Sequence, residues 1–172
     1  KILDSNIGIK NTIMSTKKVP NRIKKEIKLL LGKDPVPGAE ITVDENDVRH
    51  ISAFVEGAEG TPYEGGVFEI QMFLVEDYPM SPPDALFITD IYHPNVDGNL
   101  GKICLDILKD KWSPALQIRT VIMSIQALMS DPNPNDPLNN EAAELWIKDK
   151  DAAIKKARDY TKKYAKPKDK SS

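Results

Sequence analysis

A change of hydrophobic period partway along the chain constrains its fold more than any other feature. Residues 40–44, 51–56, 67–75 and 85–88 form short runs rich in β-branched or aromatic residues, separated by Gly, Pro and Asp turns. In the longest of them Phe68, Ile70, Met72 and Leu74 alternate, which is the period of a strand with one buried face. These runs predict a four-stranded antiparallel meander. From Ile118 the spacing becomes helical, with Val121, Ile122, Ile125, Leu128 and Met129 marking a buried central helix. Ahead of the strands, Ile23, Ile27, Leu30 and Leu31 share one face of a helix that runs from Pro20 to Gly32 and carries Arg22, Lys25 and Lys28 on its outer side. Two further helices fit residues 141–147 and 151–164. The prolines of the run 131–137 separate them from the central helix, because each removes a donor and restricts its predecessor. The fold class is therefore α+β.

At 172 residues, 40% hydrophobic and 29% charged, the chain fits one compact domain. Residues 1–16 read as an extra or disordered N-terminal segment, with 1–13 lying ahead of a natural start at Met14. The domain covers 17–165, and a short charged tail, 166–172, reads as disordered. Twenty-four Lys plus Arg against 26 Asp plus Glu give no overall pull toward nucleic acid or an anionic membrane. No apolar run reaches the roughly 20 residues that cross a bilayer. The single cysteine forms no intramolecular disulfide, which predicts a reducing compartment, cytoplasmic and nuclear. One Cys and two His are a poor donor set for a zinc site, so no metal cofactor is expected.

Between Thr89 and Pro114 the chain is punctuated by Pro, Asn and Gly. A loop of roughly 25 residues without secondary structure of its own is more often functional than decorative. It holds the only cysteine, Cys104. Flanked by Ile103 and Leu105, that residue reads in isolation as a small buried hydrophobe. Its context reads otherwise. Tyr92-His93-Pro94-Asn95, the run from Ile103 through Cys104 to Leu108, and Trp112-Ser113-Pro114-Ala115-Leu116 resemble the catalytic core of the ubiquitin-conjugating enzymes. Upstream, the runs from Pro62 to Phe68 and from Tyr78 to Pro83 match the same family in order and approximate spacing, so the resemblance covers about residues 19–165.

The resemblance implies the ubiquitin-conjugating fold: an N-terminal helix, a four-stranded antiparallel sheet, a long active-site loop, a central helix and two C-terminal helices. It also implies the chemistry. Cys104 would accept ubiquitin from an activating enzyme as a thioester and pass it to a lysine amine. A thiol with a pKa of about 8.5 is a good nucleophile near neutrality without a dedicated base. Thioester exchange is nearly balanced in energy, so ATP is consumed upstream by the activating enzyme. The chain shows no Walker-type phosphate loop, and no cofactor is expected here. Asn95 matches the position that donates to the oxyanion of the transfer step, or that ties down the loop; the two roles are compatible. Asp136 matches an acid that prepares the incoming amine, and it also reads as a turn-forming Asp before Pro137. His93 and Pro94 are assigned to loop packing. One departure stands out: Asn95 and Cys104 are nine residues apart, one more than in the members this chain otherwise resembles, with Asp97-Gly98-Asn99 as the point of insertion.

Within the family, the run from Leu105 to Val121 is most similar to the chain-building member that pairs with an inactive ubiquitin-conjugating-enzyme variant and links ubiquitin through its lysine sixty-three. The alternation of strand 67–75 turns Phe73 away from the apolar face, beside Gln71. There it is an isolated exposed aromatic, is covered by the chain itself, or docks the variant; Leu100 matches a second contact in that heterodimer. Gln71 stands where an acid is expected and Leu86 where an Arg is expected. RING-type ligases are expected at Arg22 and Lys25, at Met80, and at Ser113, Pro114 and Ala115. The same residues also read as a solvated helix face and a loop gap-filler. The alternatives are a ubiquitin-conjugating enzyme of another linkage subclass, and a non-catalytic ubiquitin-binding scaffold, which would lack the nucleophile.

Overall fold

The computed structural model describes residues 19–167, so the expected N-terminal segment 1–16 and the end of the tail lie outside the described residues. Helix α1, Asn21–Lys28, buries Ile23 and Ile27 and leads into a wider turn, Leu29–Lys33, that buries Leu30. The helical run passes Gly32, its expected end. The chain does not turn left-handed there, and closure comes from the Asp34 N–H to the Leu29 carbonyl, five residues back, at 2.9 Å.

The four strands follow, β1 Ala39–Val43, β2 His50–Glu56, β3 Val67–Phe73 and β4 Asp84–Phe87, antiparallel and in sequential order. Register sets Ile51 against Met72, Ala53 against Ile70 and Val55 against Phe68, so the alternating residues of β2 and β3 fill one face. All six are buried to within 1% exposure. That face shares a single core with Ile23, Ile27 and Leu30 of the first helix and with Val121, Ile122, Ile125 and Met129 of α2, Ile118–Ser130. Each such side chain contributes roughly 1.5–3 kcal/mol by leaving water. The opposite face carries Ser52, Gln71, Leu86 and Phe73.

Helices α3, Asn140–Lys148, and α4, Lys150–Tyr164, complete the chain. Asn139 and Asp149 cap them, accepting from the N–H groups of Ala142 and Ala152 at 3.1 and 3.0 Å. The end of α4 returns to the sheet, where the Val67 N–H donates to the Ala165 carbonyl at 2.9 Å.

The segment between β4 and α2 is more structured than its punctuation suggests. Lys102 forms a bridge with Leu86 on the free edge of β4, Val96 bridges Ile103, and Asp106–Leu108 make one 3₁₀ turn. An edge strand offers unpaired backbone groups, and this loop takes them. The expected point of insertion, Asp97-Gly98-Asn99, forms a tight turn beside these bridges. The Asp97 carboxylate accepts from the N–H groups of Asn99 and Leu100 at 2.9 and 2.6 Å, and Gly101 turns with φ +70°. A Cβ at position 101 would lie 2.0 Å from the Phe87 carbonyl, so only glycine fits.

Candidate active site

The platform of the site is built from the buried triplet His93, Pro94 and Asn95. His93 is fully buried against Tyr63, with ring centroids 5.8 Å apart. Its Nδ1 accepts the Asn95 N–H at 2.9 Å, so Nε2 carries the hydrogen and donates to the Leu128 carbonyl, also at 2.9 Å. Burial lowers its pKa to about 4, which leaves it neutral and holding the loop against α2. The Pro94 carbonyl accepts the N–H groups of both Leu138 and Asn139 at 3.0 Å.

Asn95, 1% exposed, reaches across to the proline-rich segment after α2. Its amide donates to the carbonyls of Asn133 and Asp136 at 2.7 and 2.9 Å, and its oxygen accepts the Asn133 N–H at 2.8 Å. The primary amide has only two hydrogens, and both are engaged. The oxyanion role expected for Asn95 therefore has no free donor in this arrangement. What the amide does instead is fix the stretch that carries Asp136.

Cys104 is held on the other side of the platform, its N–H donating to the Asn95 carbonyl at 2.8 Å. The thiol is 9% exposed and opens onto a cleft of about 300 Å³ between the 3₁₀ turn and the 133–136 segment. Two side chains meet the sulfur. The Asp136 Oδ2 accepts from the thiol at 3.3 Å, and the Lys109 Nζ donates to the sulfur at 3.3 Å. Burial, then the Asp136 contact, push the thiol pKa up, against an opposing pull from Lys109. The expectation of an ordinary thiol acting without a partner is thus modified: the group stays mainly protonated at neutral pH and has a carboxylate as its acceptor. Sequence reasoning assigned no role to Lys109. Its only signal is a cation five residues beyond the cysteine, with a turn between them.

Elsewhere the structure brings together the three expected ligase-facing segments. Glu26, 5% exposed, is the knot. Its carboxylate accepts from Arg22, from the Tyr78 hydroxyl at 2.9 and 3.0 Å, and from the Ile118 N–H at 2.8 Å, the last capping α2. Arg22 also donates to the Leu116 carbonyl at 2.7 Å, so its guanidinium is tied inward while Lys25 is exposed. The Trp112 indole donates to the Pro79 carbonyl at 2.9 Å, setting the Ser113-Pro114-Ala115 loop beside the exposed Met80. On the sheet's outer face Phe73 is 44% exposed and Leu86 is open to solvent, as are Ile88 just past β4 and, at 62%, Leu100 in the following loop. Among the described residues, no group of three or more His, Cys, Asp or Glu is placed to hold a metal ion.

Comparison with known proteins agrees with this architecture. The family profile described as ubiquitin-conjugating enzyme matches residues 22–161. Ubiquitin-conjugating enzyme E2 N of Drosophila melanogaster is 57% identical over 147 residues, covering 86% of this chain and 96% of that protein. Ubiquitin-conjugating enzyme E2 13 of Saccharomyces cerevisiae is 54% identical over 150 residues, covering 87% and 97% respectively. Among solved structures, a ubiquitin-conjugating enzyme E2 domain of Toxoplasma gondii superposes with a TM-score of 0.78 at 40% identity, covering 84% of this chain and 97% of that one.

Proposed function

The chain belongs to the ubiquitin-conjugating enzyme family, and from that premise we propose that Cys104 carries ubiquitin, that Asp136 prepares the incoming lysine, and that Asn95 acts by holding Asp136 in place. As a ubiquitin-conjugating enzyme it works with ubiquitin, an activating enzyme and ubiquitin ligases. The observation that carries the site reading is the contact of the only cysteine with the Asp136 carboxylate, 3.3 Å away in an open cleft.

The steps follow from that geometry. In loading, the Cys104 thiol gives up its proton to solvent, the sulfur attacks the carbonyl of the activating enzyme's thioester, and that enzyme's cysteine sulfur leaves with the electron pair of the broken C–S bond and takes up a proton. Once acylated, the sulfur no longer has a hydrogen to donate, so the carboxylate is free to accept one from a lysine ammonium entering the cleft. A lysine normally near pKa 10.4 must lose a proton to attack, and a positioned acceptor serves that need. Asn95 contributes by fixing the Asp136 backbone, since small misplacements of a reacting group are costly in rate. Arg22, Lys25, Met80, Ser113, Pro114 and Ala115 form the surface for RING-type ligases. In that surface Glu26 joins α1 to the Leu116 end of the loop.

The product is lysine-sixty-three-linked polyubiquitin made with an inactive variant partner, which docks on Phe73 and Leu100. The relatives of E2 N and E2 13 type and the exposed aromatic support this reading. Leu86 is paired to Gln71 across the strands, so neither side chain offers a charge at this position, and Ile88 and Leu100 are also exposed. The partner therefore meets this position without an ion pair to Gln71 or Leu86. Incubation with activating enzyme, ATP, ubiquitin and the variant, followed by mass spectrometry of the chains, tests the product. Other linkages in excess would favour the alternative subclass. Phe73→Ala should remove a buried anchor worth on the order of 2 kcal/mol, about thirtyfold in affinity by calorimetry, with loading of Cys104 unaffected. Unchanged binding would reject this docking surface.

A further inference from the structure

We propose that Lys109 is a further catalytic residue, whose ammonium donates to the Cys104 sulfur and stabilises the negative charge that appears there in both halves of the reaction. The proposal rests on the reading of Cys104 as the carrier. Two charged side chains contact the sulfur and act in opposite senses. Asp136, as acceptor, favours the protonated thiol, while Lys109, as donor, favours the thiolate. Among the described residues Lys109 is the one cation hydrogen-bonded to this atom. Its backbone is pinned by the 3₁₀ turn, with its N–H donating to the Asp106 carbonyl at 3.0 Å, so the side chain folds back over the sulfur from five residues downstream.

The requirement for such a donor is clearest in the transfer step. The lone pair of the incoming amine forms the new C–N bond at ubiquitin's carbonyl carbon. The C–S bond then breaks, its electron pair passes to the sulfur, and the surplus amine proton leaves to Asp136 or to water. The leaving group is a thiolate in a place where burial and a carboxylate both disfavour it. Lys109 keeps its own proton throughout and only donates the hydrogen bond. The thiol contact and the nearby Asp136 and Asp110 hold it cationic. An ammonium has no lone pair with which to attack the thioester, so this lysine assists the sulfur without itself capturing ubiquitin.

Because Lys109 is solvent-exposed and the interaction is screened, the effect is modest. Lys109→Gln should raise the midpoint of the pH profile for Cys104 alkylation by about half a unit and slow discharge of the purified thioester to free lysine about threefold. Lys109→Arg keeps the donor and should match the wild type in both. Iodoacetamide reports on Cys104 alone, as the chain has no other cysteine. An unchanged midpoint and discharge rate in Lys109→Gln, or equal defects in the Gln and Arg variants, would overturn the role. If the wild type forms no thioester, the carrier reading falls and this proposal with it. If the wild type charges and discharges normally while the Gln variant is indistinguishable from it, only the role of Lys109 falls.

Discussion

The two sides of Cys104 are built on opposite plans. On one side His93, Pro94 and Asn95 are buried, and every hydrogen-bonding group of the Asn95 side chain and both ring nitrogens of His93 are engaged with backbone. On the other side Lys109 and Asp136 are exposed and touch the sulfur at 3.3 Å through side chains that can change partners. Satisfied buried polar groups rigidify and are costly to disturb, whereas exposed contacts are individually weak. A carrier of a large cargo needs both kinds of contact: a fixed seat for the thioester, and movable charges for a proton and a leaving group.

If the platform is a rigid, neutral scaffold, its largest signature is a stability that depends on pH. His93 titrates at about 4 in the folded chain and near 6.5 when unfolded. As pH falls below 6.5 the unfolded chain takes up the proton first, so folded stability declines between about pH 6.5 and 4, by about 3 kcal/mol in all. Urea unfolding of the wild type and of His93→Gln at pH 7, 5.5 and 4 measures it. Equal pH dependence in the two proteins would remove His93 from the scaffold.

Asn95 sits where the two sides meet. Asn95→Ala should leave loading largely intact and slow transfer to lysine by roughly 10²-fold, since it releases the segment that carries Asp136. Because it acts through Asp136, adding Asp136→Ala should slow transfer little further. Fully multiplicative defects in discharge assays would mean that Asn95 touches the reacting groups itself. Of the same size is the effect of Asp136→Ala alone, roughly 10²-fold near neutrality, shrinking as pH rises and solution supplies neutral amine. A defect independent of pH would leave this residue only its place in the turn.

Much of this was legible from the sequence because the signals were periodic. The β2 and β3 rows, the stripe of α2 and the outward Phe73 follow from alternation and 3.6-residue spacing. The convergence of Cys104, Asn95 and Asp136 was not periodic, and it came through resemblance. What escaped were contacts made by single long or buried side chains. Glu26 falls on the same stripe as Ile23 and Leu30, an acid among apolar residues, and that mismatch was a readable sign of a buried carboxylate. Lys109 gave no such sign, because how far a flexible chain folds back over a turn is not written in its spacing. The loop between β4 and α2 reads as irregular because its order is borrowed from the open edge of β4 and from Asp97, not from its own pattern.

The central claim, that this cleft carries ubiquitin on Cys104, is tested most directly by charging. Wild type, Cys104→Ser and Cys104→Ala are each mixed with activating enzyme, ATP and ubiquitin and resolved with and without thiol. The account predicts a thiol-sensitive adduct on the wild type, a thiol-resistant oxyester on the Ser variant, and no adduct on the Ala variant. A thiol-sensitive adduct on Cys104→Ala would contradict it.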